Sequence, residues 1–260
     1  MIDLSVLYPD LDEIIELKLK ELIRAWKLGE LGELCEELCV AYRTAGIAAL
    51  LLDLDTDRMH HMFIRSGLTR AYMLEHTSPE DRDGSRFCKV TRANGFFDSI
   101  AANQLDIGRR IIALGPQQRH DQFEYEEDYC YVRFLYELLQ GGEQEEQNGL
   151  LDRWKALLEK TTAARYDVCR ALQGRDGEGF HDAFSRLSSD RAVEIEAQKR
   201  SLSRDEIEFA GARHVNVEGL ALLRFAAMVG ITTRDEYEYC PREARAAMSA
   251  PFPNNNYPGS

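Results

Sequence analysis

β-Branched side chains are scarce in this chain of 260 residues, which has nine Val, and no segment shows the period-two alternation that a half-buried strand requires. That excludes a core built on a sheet, and the expected fold class is all-α. Long apolar runs are lacking as well: the longest, Ala45 to Leu52, is too short to span a bilayer. The opening MIDLSVLYPDLDE has neither a basic n-region nor an apolar h-region. These absences point to a cytoplasmic protein with no membrane partner. Six cysteines (Cys35, Cys39, Cys88, Cys130, Cys169, Cys240) are dispersed without a CxxC pair, which predicts reduced, mostly buried thiols. Cys35 and Cys39 stand four apart on one helical face; with no paired His or Cys nearby, core packing is the better reading than metal binding.

Positive charge is also in short supply. There are 32 Lys and Arg against 45 Asp and Glu, a net charge of −13, with a pI near 5.0. This disfavours nucleic acid and anionic membrane surfaces as partners and favours basic proteins. With 44% hydrophobic side chains the chain can bury a large core without disulfide or metal. Residues 1–250 are expected to form a single all-helical domain with a hinge at 141–149, where GGEQEEQNG carries no apolar side chain and reads as a solvated loop. Residues 251–260, PFPNNNYPGS, are expected to be an irregular tail.

No complete catalytic set is present. AALLLDLDTD, ending in Asp53, Asp55 and Asp57, imitates a haloacid-dehalogenase nucleophile strand, but Asp57 stands where that site wants Thr and the run continues a helical pattern. The same triplet imitates the start of a calcium loop, yet Arg58 and Ile64 occupy the positions that need Gly and a bidentate Glu. His60 and His61 are adjacent and face different directions on a helix, no HExxH or G-x-S-x-G occurs, and His214 beside Val215 and Val217 reads as a buried core residue. Gly174, Gly177 and Gly179 follow no strand and read as an inter-helix turn rather than a phosphate cradle. No catalytic, cofactor-binding or metal-binding residue is nominated, no cofactor is expected, and an enzyme is not.

What is present is a recurring phrase: a helical pattern, a break at small residues, an acidic residue and a second amphipathic helix. It reads FFDSIAANQLDIGRRIIAL at Phe96 to Leu114, VCRALQGRDGEGFHDAFSRL at Val168 to Leu187 and, more loosely, IRAWKLGELGELCEEL at Ile23 to Leu38. Such breaks fold helices back antiparallel, so the architecture expected is a helical-repeat-like array of helix pairs. Leu11 to Trp26 has helical spacing behind an Asp10/Glu13 capping box, and the apolar AGIAALLL run reads as a helix buried on most sides. Further helices are predicted at about 57–76, 86–103, 105–114, 123–140, 150–173, 177–200, 204–229 and 234–248. Ser203 to Glu206 reads as a capping box and Gly230 as a helix stop.

One segment suggests recognition. In DQFEYEEDYCYVRFLY, from Asp121, the acids Glu124, Glu127 and Asp128 share one predicted helical face, while Tyr125, Tyr129, Val132 and Tyr136 form a second stripe. The plain reading is a solvated acidic face above a core-facing stripe. The functional one is a partner-binding surface of Asp121, Glu124, Tyr125, Glu127 and Asp128, with Tyr supplying rigid contact area and carboxylates selecting Arg and Lys. Glu236 and Glu238, in a second acidic aromatic group near the C-terminus, join that surface as candidates.

GFFDSIAANQLDIGRRIIAL, FEYEEDYCYVRFLYELL, RYDVCRALQGRDGEGFHDAFSRL and HVNVEGLALLRFAAMVGI, the last followed by Tyr239 and Pro241, together resemble the Imm49-type immunity proteins of bacterial polymorphic toxin systems over roughly residues 90 to 245. The resemblance implies an all-α fold, a cytosolic location and neutralisation of a cognate toxin delivered by a neighbouring cell, type VI secretion being one route. It supplies no catalytic residues. A basic toxin such as a nuclease suits a protein of charge −13. The alternative is a helical-repeat adaptor or effector chaperone of a secretion system, which uses the same stacked helices but does not suppress toxicity by itself.

Overall fold

The computed structural model describes residues 3–24, 28–158, 163–201 and 206–253. The first helix, α1 (Leu4–Leu22), starts before the Asp10/Glu13 box expected to cap it. Its apolar stripe begins at Leu4 and continues through Leu7, Leu11 and Ile15, so Asp3 is the residue at the boundary, its side chain accepting from Ser5 N. Trp26 and the break in the third recurring phrase lie outside the described residues.

The helices that follow are α2 (Leu28–Asp53), α3 (Thr56–Glu75), α4 (Pro79–Gly84), α5 (Asn94–Ala101), α6 (Leu105–Leu114), α7 (Glu126–Gln140), α8 (Gln144–Leu157), α9 (Ala164–Gly174), α10 (Gly177–Gln198), α11 (Ile207–Ala212) and α12 (Val217–Met228). No strand occurs among the described residues, so the fold is all-α. Ala45, Ile47, Ala48, Ala49 and Leu50 of the AGIAALLL run are all buried in α2. α2 lies between α1 and α3; α3 packs on α5 and α6, α5 on α12, and α7, α8 and α9 pack on one another with α10 against α9.

Two of the recurring phrases fold alike. In α5–α6 the chain reverses at Asn103 (φ 59°), with Gln104 N donating to Ser99 O and Asn103 N to Ile100 O. In α9–α10 it reverses at Arg175 (φ 52°), with Asp176 N donating to Ala171 O and Arg175 N to Leu172 O. Both are helix ends of the Schellman type, in which one left-handed residue lets two amides satisfy orphaned carbonyls.

Four of the expected helices are revised. The 86–103 segment is a single 3-10 turn, Arg86–Cys88, followed by irregular chain and then α5, because the buried Arg70 guanidinium takes the carbonyls of Phe87 and Lys89. The 150–173 segment ends one helix at Leu157 and starts another at Ala164, which lets α8 and α9 pack against each other. The 204–229 segment breaks between α11 and α12, where Asn216 caps α12 through Gly219 N and donates its own N–H to Tyr239 O. The 234–248 segment is irregular apart from a 3-10 turn at Glu243–Arg245, since the Arg245 guanidinium holds the carbonyls of Arg234 and Asp235.

The GGEQEEQNG segment is not the solvated loop expected. Gly141 (φ 70°) ends α7, and from Gln144 onward the segment is the start of α8, with Glu145 and Glu146 in the first turn, where the helix dipole favours them. Gly230 (φ 90°) follows the end of α12 as expected. Most of the Ser203–Glu206 box lies outside the described residues, as does 254–260; residues 251–253 have no regular structure. All six cysteines are buried and unbridged, and burial pushes the Cys39 thiol up to about 12.

Candidate partner-binding site

α7 brings the acidic segment to the surface. Its first turn holds Glu126, Glu127 and Asp128, carboxylates placed where the positive end of a helix dipole stabilises them. Tyr129, Val132 and Tyr136 form the expected core-facing stripe and are buried. Tyr125 departs from that stripe: it precedes the helix and is 80% exposed. Glu124 also precedes the helix, so it does not share a helical face with Glu127 and Asp128. It is 4% exposed and accepts from Thr91 N and His120 N, both at 2.9 Å, tying two loops together and leaving little for a partner.

The start of α7 forms one wall of a cleft of about 230 Å³, whose other walls come from Trp154 on α8, Arg165 on α9, Asp190, Arg191 and Glu194 on α10, and Glu218 on α12. Arg165 is held there by two of the acids. Its Nε and Nη2 each donate at 3.0 Å to the two oxygens of Glu218, and Nη1 lies 3.6 Å from Asp128. The guanidinium sits 5.0 Å from the centre of the Tyr131 ring, and Tyr131 Oη donates to Glu218 at 2.8 Å. The Glu218 carboxylate holds the Arg165 guanidinium well above its ordinary pKa, and burial does the same to the Tyr131 phenol. A forked guanidinium–carboxylate pair with an aromatic face beneath it is thus already built here.

Three further acids of the wall differ. Glu127, Asp190 and Glu194 are exposed, and among the described residues none has an ion-pair partner. Trp154 is 3% exposed, braced by Tyr131 and Tyr166 at ring separations of 5.7 and 5.5 Å, and its Nε1–H has no acceptor. Among the described residues no three His, Cys, Asp or Glu side chains are grouped so as to hold a metal ion. The wall therefore combines these carboxylates with two guanidinium groups, those of Arg165 and Arg191, the latter donating through Nη2 to Ala212 O.

The structure brings Glu127 and Asp128 into this cleft. Asp121 is joined to the same helix start through Arg119, which also pairs with Glu126 at 3.0 Å. Glu236 and Glu238 are exposed but lie on the irregular segment before Cys240 and do not line the cleft. Sequence reading missed Trp154, Asp190, Glu194 and Glu218. Asp190 and Glu194, four apart on a long predicted helix, were the one available signal.

The other motifs resolve into structural roles. Asp53 accepts from Tyr8 Oη at 2.6 Å, Asp55 caps α3 through Arg58 N, and Asp57 accepts from the amides of Ser249 and Ala250. His214 is not buried: it is exposed in the turn between α11 and α12, because the chain leaves the helix there. No helix of the described residues is long and apolar enough to cross a membrane.

No curated protein and no solved structure matches the chain. A family model does: the one described as Imm49, immunity protein 49, matches residues 38–244, a span from within α2 to the 3-10 turn at Glu243–Arg245 that includes every wall of the cleft. The chain belongs to the Imm49 family of immunity proteins.

Proposed function

We propose that this protein protects its cell by binding a cognate antibacterial toxin one to one, in the cytoplasm and without catalysis. The observation that carries this reading is the family match over residues 38–244. Charge supports the choice of a basic toxin, a nuclease being the prime case: at −13 the protein attracts a basic substrate channel and competes there with nucleic acid. The contact face runs from Asp121 and Tyr125, both exposed, to Glu127 and Asp128 at the start of α7, with Glu236 and Glu238 as an outlying part. Tyr125 is the aromatic anchor of that face, since its ring is free of the core.

Co-expression with the toxin-like product of the adjacent gene tests the proposal. Survival together with a co-purifying one-to-one complex is expected. Unrelieved killing with no complex overturns immunity for that pair and turns attention to an adaptor role within a secretion system.

A further inference from the structure

A different cleft, of about 520 Å³, is walled by Arg82 on α4, by Lys89, and by the loop after α6 as far as Arg119 and His120. In a chain of charge −13, two of its cations are held by main-chain carbonyls instead of carboxylates. Arg82 donates through Nε to Thr77 O and through Nη1 to Leu114 O, both at 2.9 Å, and Lys89 Nζ donates to Asp83 O at 2.6 Å. Among the described residues neither forms an ion pair, whereas Arg119 pairs with Asp121 and Glu126. Lys89 is 2% exposed, and burial, the largest influence, holds its pKa below the ordinary 10.5 against the pull of Glu124 and Asp83. Neither acid meets it by contact. The two oxygens of Glu124 accept from Thr91 N and His120 N, and Asp83, the one acid of the wall among the described residues, is exposed and reaches Lys89 with its main-chain oxygen. Lys89 Nζ lies between two groups that border the cleft: Asp83 and, at 5.7 Å, the Phe123 ring, on which the wall residue His120 stacks at 4.8 Å. A desolvated ammonium at such a wall gains from an anion that replaces its lost hydration.

We propose that this cleft binds a phosphate group, free or as the monoester of a small organic molecule, with Lys89 and Arg82 as its cationic contacts. The proposal does not depend on the immunity reading. Charge is matched, because a phosphate dianion balances the two cations that no carboxylate pairs with, and its several oxygens accept from an ammonium and a guanidinium together. A carboxylate brings one charge and two oxygens, and leaves one cation unanswered. Main-chain carbonyls already fix both side chains, so little freedom is lost when a ligand arrives. The volume is that of a small-molecule site and leaves room beyond one phosphate for an organic part.

The test is an amide titration of the ¹⁵N-labelled full chain, at fixed pH and ionic strength, with inorganic phosphate, AMP, adenosine and acetate. Saturable shifts of the Lys89, Arg119 and His120 amides are expected with phosphate or AMP, with half-saturation on the order of 1 mM for such small probes. Tighter binding of AMP assigns the site to an ester, and tighter binding of phosphate to the free anion. Adenosine, which lacks the phosphate, and acetate should each bind at least about tenfold more weakly. Asp83→Asn, a change at an exposed side chain that keeps the fold, should tighten phosphate binding about two- to fivefold by removing a like charge from the wall. Arg82→Gln should weaken it at least about tenfold, the amide spectrum itself reporting whether that variant is folded; if it is not, Asp83→Asn decides alone. Absence of saturable shifts at the cleft, equal binding of adenosine or acetate, or an affinity unmoved by Asp83→Asn each overturns the proposal.

Discussion

His60 shows how one residue ties stability to pH. It is buried at the start of α3, its Nε2 lies 2.9 Å from the carbonyl of Ala246, and its Nδ1 has no partner, so the fitting form is the neutral Nε2–H tautomer. Burial, the largest influence, holds its pKa below the ordinary 6.5, with the Arg224 charge acting in the same direction. In the unfolded chain the ring takes up a proton near 6.5, so in the window below that value the unfolded state binds more protons. Its contribution is then present above the unfolded pKa and lost as pH falls. The stability of wild type relative to His60→Gln should drop from pH 7 to pH 5, by at most about 1.4 kcal/mol per pH unit, in urea titrations. A gap that stays constant with pH would refute the assignment. At this scale helical spacing marked Glu127 and Asp128 as surface acids but could not separate them from Glu124. The burial of Glu124 is made by Thr91 and His120, which other segments deliver.

Between elements, close approach governs. α3 and α5 meet at Gly95, where an added Cβ would stand 2.6 Å from Arg70 Cβ and 2.9 Å from the backbone oxygen of Ser66. Gly149, inside α8, has nothing within 4 Å of such a Cβ. Opposite signs are therefore expected for one chemical change. Gly149→Ala should stabilise by about 0.5–1 kcal/mol through helix propensity. At Gly95→Ala the same gain is outweighed by about 1–3 kcal/mol of overpacking, for net destabilisation. Thermal unfolding of the two variants decides this, and an unchanged or stabilised Gly95→Ala would show that the helices can part without cost. Elements were legible where their signals are local: α6 occupies the predicted 105–114 because its amphipathic run is followed at once by Gly115 and Pro116. They were illegible where a distant guanidinium competes for backbone carbonyls, as Arg70 does at Phe87 and Arg245 at Arg234 and Asp235.

For the whole molecule, the excess of negative charge acts over distances set by salt. If the partner is a basic toxin, raising ionic strength from about 0.05 to about 0.5 M shrinks the screening length several-fold. The association rate should then fall by about tenfold or more, while dissociation, governed by short-range contacts, changes far less. Stopped-flow association across that salt range is the measurement. A rate indifferent to salt would show that steering by net charge plays no part and that the contact face is chosen by shape.

Amphipathic period, scarce β-branched residues and breaks at small residues determined by themselves that this chain is all-α and folds back within the phrases at 96–114 and 168–187, because helix formation depends on neighbours a few residues apart. The same information, through its short phrases, was enough to indicate the Imm49 family. Only the tertiary structure decided that acids from α7, α10 and α12 face one cleft beside Trp154, that Arg165 is forked onto Glu218 there, and that Glu124 is withdrawn from it. Those side chains are separated by up to 91 positions, from Glu127 to Glu218, and nothing local links them. Their meeting depends on how helices pack, a property of the assembled core rather than of any one segment.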